Sequence, residues 1–224
     1  MKLTKKVKAA AAVCAVASMA VIGSMFAYLT DTDTATNVFT MGTVSADLFE
    51  NGTKIDGSNT GISTNNVYPT QIIEKTPTIK NTGTNPALVF VEVTIPRANV
   101  VTANDSGVKN TAAEQDLFVV KADNTVNNNT TSYNTTDWVE LTDKKSQTSA
   151  ETTYVYAYRK TLDADTTTSA PFKYVRFANV IEGEVTGSKD ITVKADVIQQ
   201  ENVAATNPTT EELGAAFSKF TNQQ

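Results

Sequence analysis

From Thr43 onward, apolar and polar positions alternate along much of this chain, and a period of two marks half-buried strands. In residues 43–49, Val44, Ala46 and Leu48 share one face, and Asn51-Gly52 follows as a turn signal. Residues 56–66 are a Gly/Ser/Asn loop. Residues 67–80 contain a strand pair broken by Pro69 and Pro77, which predicts edge positions for both pieces. The clearest strand is 87–95, where Ala87, Val89, Val91, Val93 and Ile95 line one face and Pro96 is the expected stop. Phe90, on the opposite face, predicts that this strand is covered on both sides.

Residues 101–113 and 121–136 are polar, Asn/Thr-rich insertions around a short strand at 117–120. Further strands are expected at 138–141, 152–162, 171–177 and 191–198. Near the C-terminus the period changes. Thr209 with Glu212 has capping-box spacing, and Leu213, Ala216, Phe217 and Phe220 form one helical stripe suited to docking on a sheet. About eight strands with long connections and no βαβ rhythm predict an all-β fold: a two-sheet, jelly-roll-like sandwich with a short C-terminal helix.

The first 27 residues follow a different logic. Lys2, Lys5, Lys6 and Lys8 precede an uncharged, mostly apolar run at 9–26, and Ala27 stands before the polar stretch that begins at Tyr28. This is the layout of a secretory signal peptide cut between Ala27 and Tyr28. As a helix the run would span roughly 27 Å, enough for an uncleaved anchor. Its Ala- and Ser-rich, Leu-poor composition favours cleavage. The expected organisation is a signal peptide at 1–27, a donor-strand segment at 28–41 and a β-sandwich at 42–224. The expected location is secreted, in an extracellular matrix or at the cell surface, with membrane contact only through the uncleaved leader.

Composition narrows the function. Of 19 Lys and Arg, four leave with the leader, so fifteen remain against 24 Asp and Glu, a net of −9. An acidic chain without a basic stripe is not expected to bind nucleic acid. The sequence has no histidine, and its one cysteine, Cys14, lies in the leader. Zinc motifs of the HExxH type, Ser-His-Asp triads and Cys-His pairs are therefore unavailable. No catalytic residue, metal ligand or cofactor is expected.

The segment after the cut carries the most information. Its even positions read Tyr28, Thr30, Thr32, Thr34, Thr36 and Val38; its odd positions read Leu29, Asp31, Asp33, Ala35, Asn37 and Phe39. β-Branched residues at every second position suit a strand, while Asp31 and Asp33 suit a core strand poorly. Two readings stand. The segment leaves its own domain to complete a neighbour's sheet, so that copies chain head to tail, or it is an ordinary N-terminal strand or tail.

Ala27-Tyr28-Leu29-Thr30-Asp31, followed by Asn37-Val38-Phe39-Thr40-Met41-Gly42-Thr43-Val44, resembles the start of the TasA/camelysin family of Gram-positive exported proteins. Leu29 replaces the family's usual Phe. Asn81-Thr82-Gly83-Thr84-Asn85-Pro86-Ala87 extends the resemblance, and the closing strand and Glu-Glu-Leu helix resemble clostridial-type members. The resemblance implies processing by a SipW-type signal peptidase, a jelly-roll domain, and fibres built by donation of Tyr28, Leu29, Thr30, Thr32, Thr34, Thr36, Val38 and Phe39.

The expected function is thus a secreted structural protein that polymerises by donor-strand β-augmentation into matrix fibres. Its partners are other copies of itself, with matrix proteins or polysaccharide as further candidates. One alternative is a monomeric surface adhesin or minor fibre subunit. A second, a camelysin-like surface metalloprotease, is disfavoured because there is no histidine.

Other features are read as structural. Tyr154, Tyr156 and Tyr158 suggest sheet packing ahead of a carbohydrate platform, and Trp138 suggests core. Asp31, Asp33, Asp47 and Asp56 suggest solvated carboxylates ahead of a calcium site. Glu182 and Glu184, two apart, do not straddle a sugar. Lys80-Asn81 does not by spacing select an isopeptide pair, and the sequons at Asn51 and Asn134 are expected by chance in so Asn/Thr-rich a chain.

Overall fold

A computed structural model of the chain describes residues 42–222, apart from 57, 125–128, 184 and 186. The leader, its cut between Ala27 and Tyr28, and the donor segment lie outside the described residues. In chain order the strands are β1 (Ala46–Glu50), β2 (Thr53–Lys54), β3 (Ile72–Glu74), β4 (Pro77–Asn81), β5 (Ala87–Thr102), β6 (Ala113–Asp116) and β7 (Phe118–Lys121). They continue with β8 (Trp138–Glu140), β9 (Ser146–Gln147), β10 (Glu151–Tyr158), β11 (Tyr174–Phe177), β12 (Val180–Glu182) and β13 (Thr192–Gln199), and the chain closes with helix α1 (Thr210–Thr221). The domain is all-β with a short C-terminal helix.

The strands fall into three hydrogen-bonded sheets where the sequence pattern predicts two, and none of the three closes on itself. The largest is built on β5, which pairs antiparallel with β10 on one edge and with β13 over eight residue pairs on the other. The two smaller sheets have orders β2-β1-β4 and β3-β11-β7. β3 and β4 both lie at sheet edges, as the prolines require, and Pro77 is the first residue of its strand.

Pro96 does not stop the central strand. β5 runs through it to Thr102. Arg97 N–H donates to Ala150 at 2.7 Å on one side, and the Pro96 carbonyl accepts from Leu117 N–H at 2.9 Å on the other. The N–H that Pro96 lacks would point toward Leu117, whose carbonyl already accepts from Ala178 at 2.9 Å. No acceptor is orphaned, so the proline costs the ladder nothing. β13 ends its pairing at Thr94, and β6 takes over from Arg97. Leu117, fully buried, is where the chain leaves β6 and crosses to the β3-β11-β7 sheet as β7.

Alternation along β5 separates two cores. Val89, Val91, Val93 and Ile95 pack with Trp138, Tyr156, Ile79, Phe118, Phe172 and Val175. On the other face Leu88 and Phe90 meet Val155, Ala157, Leu213, Ala216 and Phe217. The second cluster is the docking of α1, with the Phe90 and Phe217 rings 5.3 Å apart. The expected capping box is present: Glu212 N–H donates to Thr209 Oγ1 at 3.2 Å, and Thr209 N–H donates to Glu212 Oε2 at 2.8 Å.

Candidate functional site: a clasp and an open groove

Two features flank β1. At its start, the stretch from Gly42 to Ser45 lies along the turn 81–86. Thr43 O accepts from Thr84 N at 3.0 Å and Asn85 N at 3.2 Å, and Ser45 O accepts from Thr82 N at 2.9 Å and Gly83 N at 3.1 Å. Thr43 N–H donates to Thr84 Oγ1 at 2.9 Å. Gly83 is required by this approach, because a Cβ there would overlap the Thr43 carbonyl and lie 2.8 Å from Ser45 N. Asn81, fully buried, holds the turn in shape. Its amide donates to Asn85 O and Leu162 O, both at 2.9 Å, and its Oδ1 accepts from Gly83 N at 2.9 Å. The two motif fragments that resemble the family, around Gly42 and around Gly83, are thus parts of one clasp.

At the other end of β1 a groove of about 1130 Å³ opens between β1, β3, β11 and the start of β13. Residues 60–67 and Pro69, and on the other side Gly183, Val185 and residues 187–191, form its walls. Leu48, Ile73, Phe177, Val180, Ile191 and Val193 line it, and several are only partly buried although they belong to the main core. β13 has no ladder partner on its outer edge among the described residues, and that strand borders the groove at Thr192 and Val193. Four large apolar side chains are exposed among the described residues: Ile62, Tyr68, Val108 and Ile181. Ile62 lines the groove, Tyr68 sits between the lining residues Val67 and Pro69, and Ile181 adjoins Val180.

The groove also holds one buried charge pair. Lys75 Nζ lies 2.8 Å from both Glu50 oxygens, and both residues are buried. Gly61, at φ +105°, lies against the carboxylate, and a Cβ there would sit 3.0 Å from Oε2. Sequence reading misses this pair because its members are 25 positions apart, and Lys and Glu are read as surface residues by default.

The remaining sequence candidates have structural occupations. Tyr156 is core, Tyr158 packs on Trp138 with rings 5.1 Å apart, and Tyr154 donates to Asp116 at 2.6 Å, its phenol pushed up by burial and then by that carboxylate. The Trp138 indole N–H donates to Ser169 O at 3.0 Å. Asp47 pairs with Lys54 at 2.7 Å. Asp56 caps its own loop, and the Ser58 and Asn59 N–H groups hold its carboxyl below the usual range. Glu182 pairs with Lys109, and Lys80 with Asp165 at 3.4 Å. Asn134 spends its amide on Asp137 and Ser169, both at 3.2 Å.

Among the described residues no group of three or more His, Cys, Asp or Glu side chains could hold a metal ion. Two half-buried acids are committed elsewhere. Asp116 accepts from Thr152 and Tyr154 and forms an ion pair with Arg97 at 3.1 Å, and Asp137 accepts from Lys160, Ser169 and Asn134. No helix among the described residues is long and apolar enough to cross a membrane.

Fold and site together define an all-β domain organised around an N-terminal clasp and an open groove lined by apolar and polar side chains. The chain belongs to the camelysin family: the model described as camelysin metallo-endopeptidase matches residues 2–184. Neither the curated proteins nor the solved structures include a match. The family description names a metallopeptidase, but the residues here do not fit a zinc centre of that kind. Histidine is absent from the chain, and among the described residues no three His, Cys, Asp or Glu side chains are grouped to hold a metal ion.

Proposed function

We propose that this is a secreted structural protein whose copies join head to tail by β-augmentation, residues 28–39 of one copy entering the groove of the next. The observation that carries the reading is the groove itself, in which core side chains stand half-covered beside the unpaired edge of β13. An added strand would satisfy that edge's backbone groups and cover the exposed apolar lining together. The clasp supports the same reading by fixing the point from which the segment departs. Fourteen residues, 28–41, reach roughly 46 Å when extended, long enough to leave one domain and lie on another.

Export by way of the leader, cleavage after Ala27 by a SipW-type peptidase, and residence in an extracellular matrix belong to this proposal. So do a closed jelly-roll, completed only once the groove is filled, and matrix proteins or polysaccharide as lateral partners. Deletion of residues 28–37, with secretion of the shortened chain verified, tests it. Secreted intact protein is expected to form filaments visible by electron microscopy, and the deleted protein to remain monomeric. Filaments of unchanged length and number from the deleted chain would refute the proposal, as would an intact protein that stays monomeric at high concentration.

A further inference from the structure

The groove is not uniformly apolar: Glu74, Lys189 and Asp190 line it from exposed positions, and its buried ion pair has consequences for how a strand can lie in it. Lys75 spends two of its three N–H donors on Glu50, and the third has no acceptor among the described residues. The pair is neutral as a unit, so a further carboxylate beside it would leave a net buried negative charge. A hydroxyl would instead supply an acceptor for Lys75 and a donor for Glu50 without adding charge.

Residues 28–39 offer one face of each kind. In an extended strand, Thr30, Thr32, Thr34 and Thr36 would share one face with their hydroxyls and methyls, and Asp31 and Asp33 would fall on the other. Resting on the β-augmentation reading above, we infer that the Glu50–Lys75 pair is a specificity determinant that seats the incoming segment with its threonine face inward and Asp31 and Asp33 toward solvent. Threonine methyls then meet Leu48, Ile73 and Val193, and a hydroxyl meets the ion pair. A slip by one residue would drive the two aspartates into the groove, so the pair fixes the parity of the register.

The mature chain has no cysteine once Cys14 leaves with the leader, so introduced thiols report contacts cleanly. Chains carrying Val193→Cys are mixed with chains carrying a single cysteine at Asp33, Thr34, Ala35 or Thr36, and intermolecular disulfides are quantified on non-reducing gels. Cross-linking from Thr34→Cys and Thr36→Cys is expected to exceed that from Asp33→Cys and Ala35→Cys by about tenfold or more. Equal yields, or the opposite parity, in preparations that still form filaments would overturn the facing while leaving β-augmentation in place. Filaments without any cross-link to Val193→Cys would overturn the groove as the seat, and absence of both cross-links and filaments would overturn the underlying reading as well. The role of the pair is tested by Glu50→Gln, checked for an intact fold by its thermal unfolding, which leaves the Lys75 charge without its carboxylate. An inward aspartate can then pair with Lys75, so the parity contrast should shrink or reverse in this background, and its persistence would show that the pair does not set it.

Discussion

Single residues in this domain matter most where a polar group is buried with every bond made. Asn81 is the clearest case, because it satisfies two carbonyls and one N–H of the clasp from full burial. Asn81→Ala leaves Asn85 O without its donor, while Leu162 O keeps the Ala87 N–H and the Gly83 N–H keeps Ser45 O, and a loss of about 1–2 kcal/mol in unfolding free energy is expected from urea titration. A loss under about 0.5 kcal/mol would mean that the turn holds itself. Asp196 is the opposite case. It is buried beside Glu92, bridged by Lys194 at 3.1 Å, and its Oδ2 has no partner. Burial first, and the Glu92 carboxyl second, push its pKa up. The folded state therefore holds this proton more tightly than the unfolded chain does. Its stabilising effect is present at acid pH and is lost as pH rises through the raised value. Asp196→Asn removes that dependence, so the variant should gain on the wild type between acid and neutral pH. Parallel stability curves for the two proteins would refute the assignment.

At the level of elements, strand faces were legible in the sequence and strand partners were not. Alternation correctly gave the inward row of β5 and the covering of Phe90, and the Thr209/Glu212 spacing gave the cap of α1. Pro96 misled because the harmlessness of its missing N–H depends on Ala178, 82 positions away, occupying the Leu117 carbonyl. The division into three sheets was hidden for a similar reason: it turns on Leu117, where one short apolar run bends between two sheets. The clasp was half legible, since both of its fragments stood out as motifs but nothing local joined them. For α1, the stripe through Leu213, Ala216 and Phe217 closes the second core. Phe217→Ala should cost about 3–4 kcal/mol by removing a ring packed on Phe90. Thermal unfolding measures this, and an unchanged midpoint would mean that the helix contributes little to the fold.

For the whole molecule, the clustered core among the described residues begins with Ala46 and is continuous from there. The chain lacking residues 28–37 is therefore expected to unfold at the same midpoint as intact monomer while failing to assemble. A lower midpoint for the deleted monomer would indicate that the segment fills its own groove, a contact within one copy. The acidic balance of residues 28–224 is consistent with the proposal, since like-charged copies would repel at long range and a specific seated segment would be needed to join them.

The clasp acquires a mechanical meaning in such a filament. Tension along it reaches each domain at Gly42 and passes through the paired carbonyls of Thr43 and Ser45 into β1, which is held to β4 by five antiparallel residue pairs. Force applied along the axis of β1 loads that ladder in shear, so its bonds share the pull and do not open one after another. The same geometry that fixes where the segment departs would let a thread of these domains bear a load.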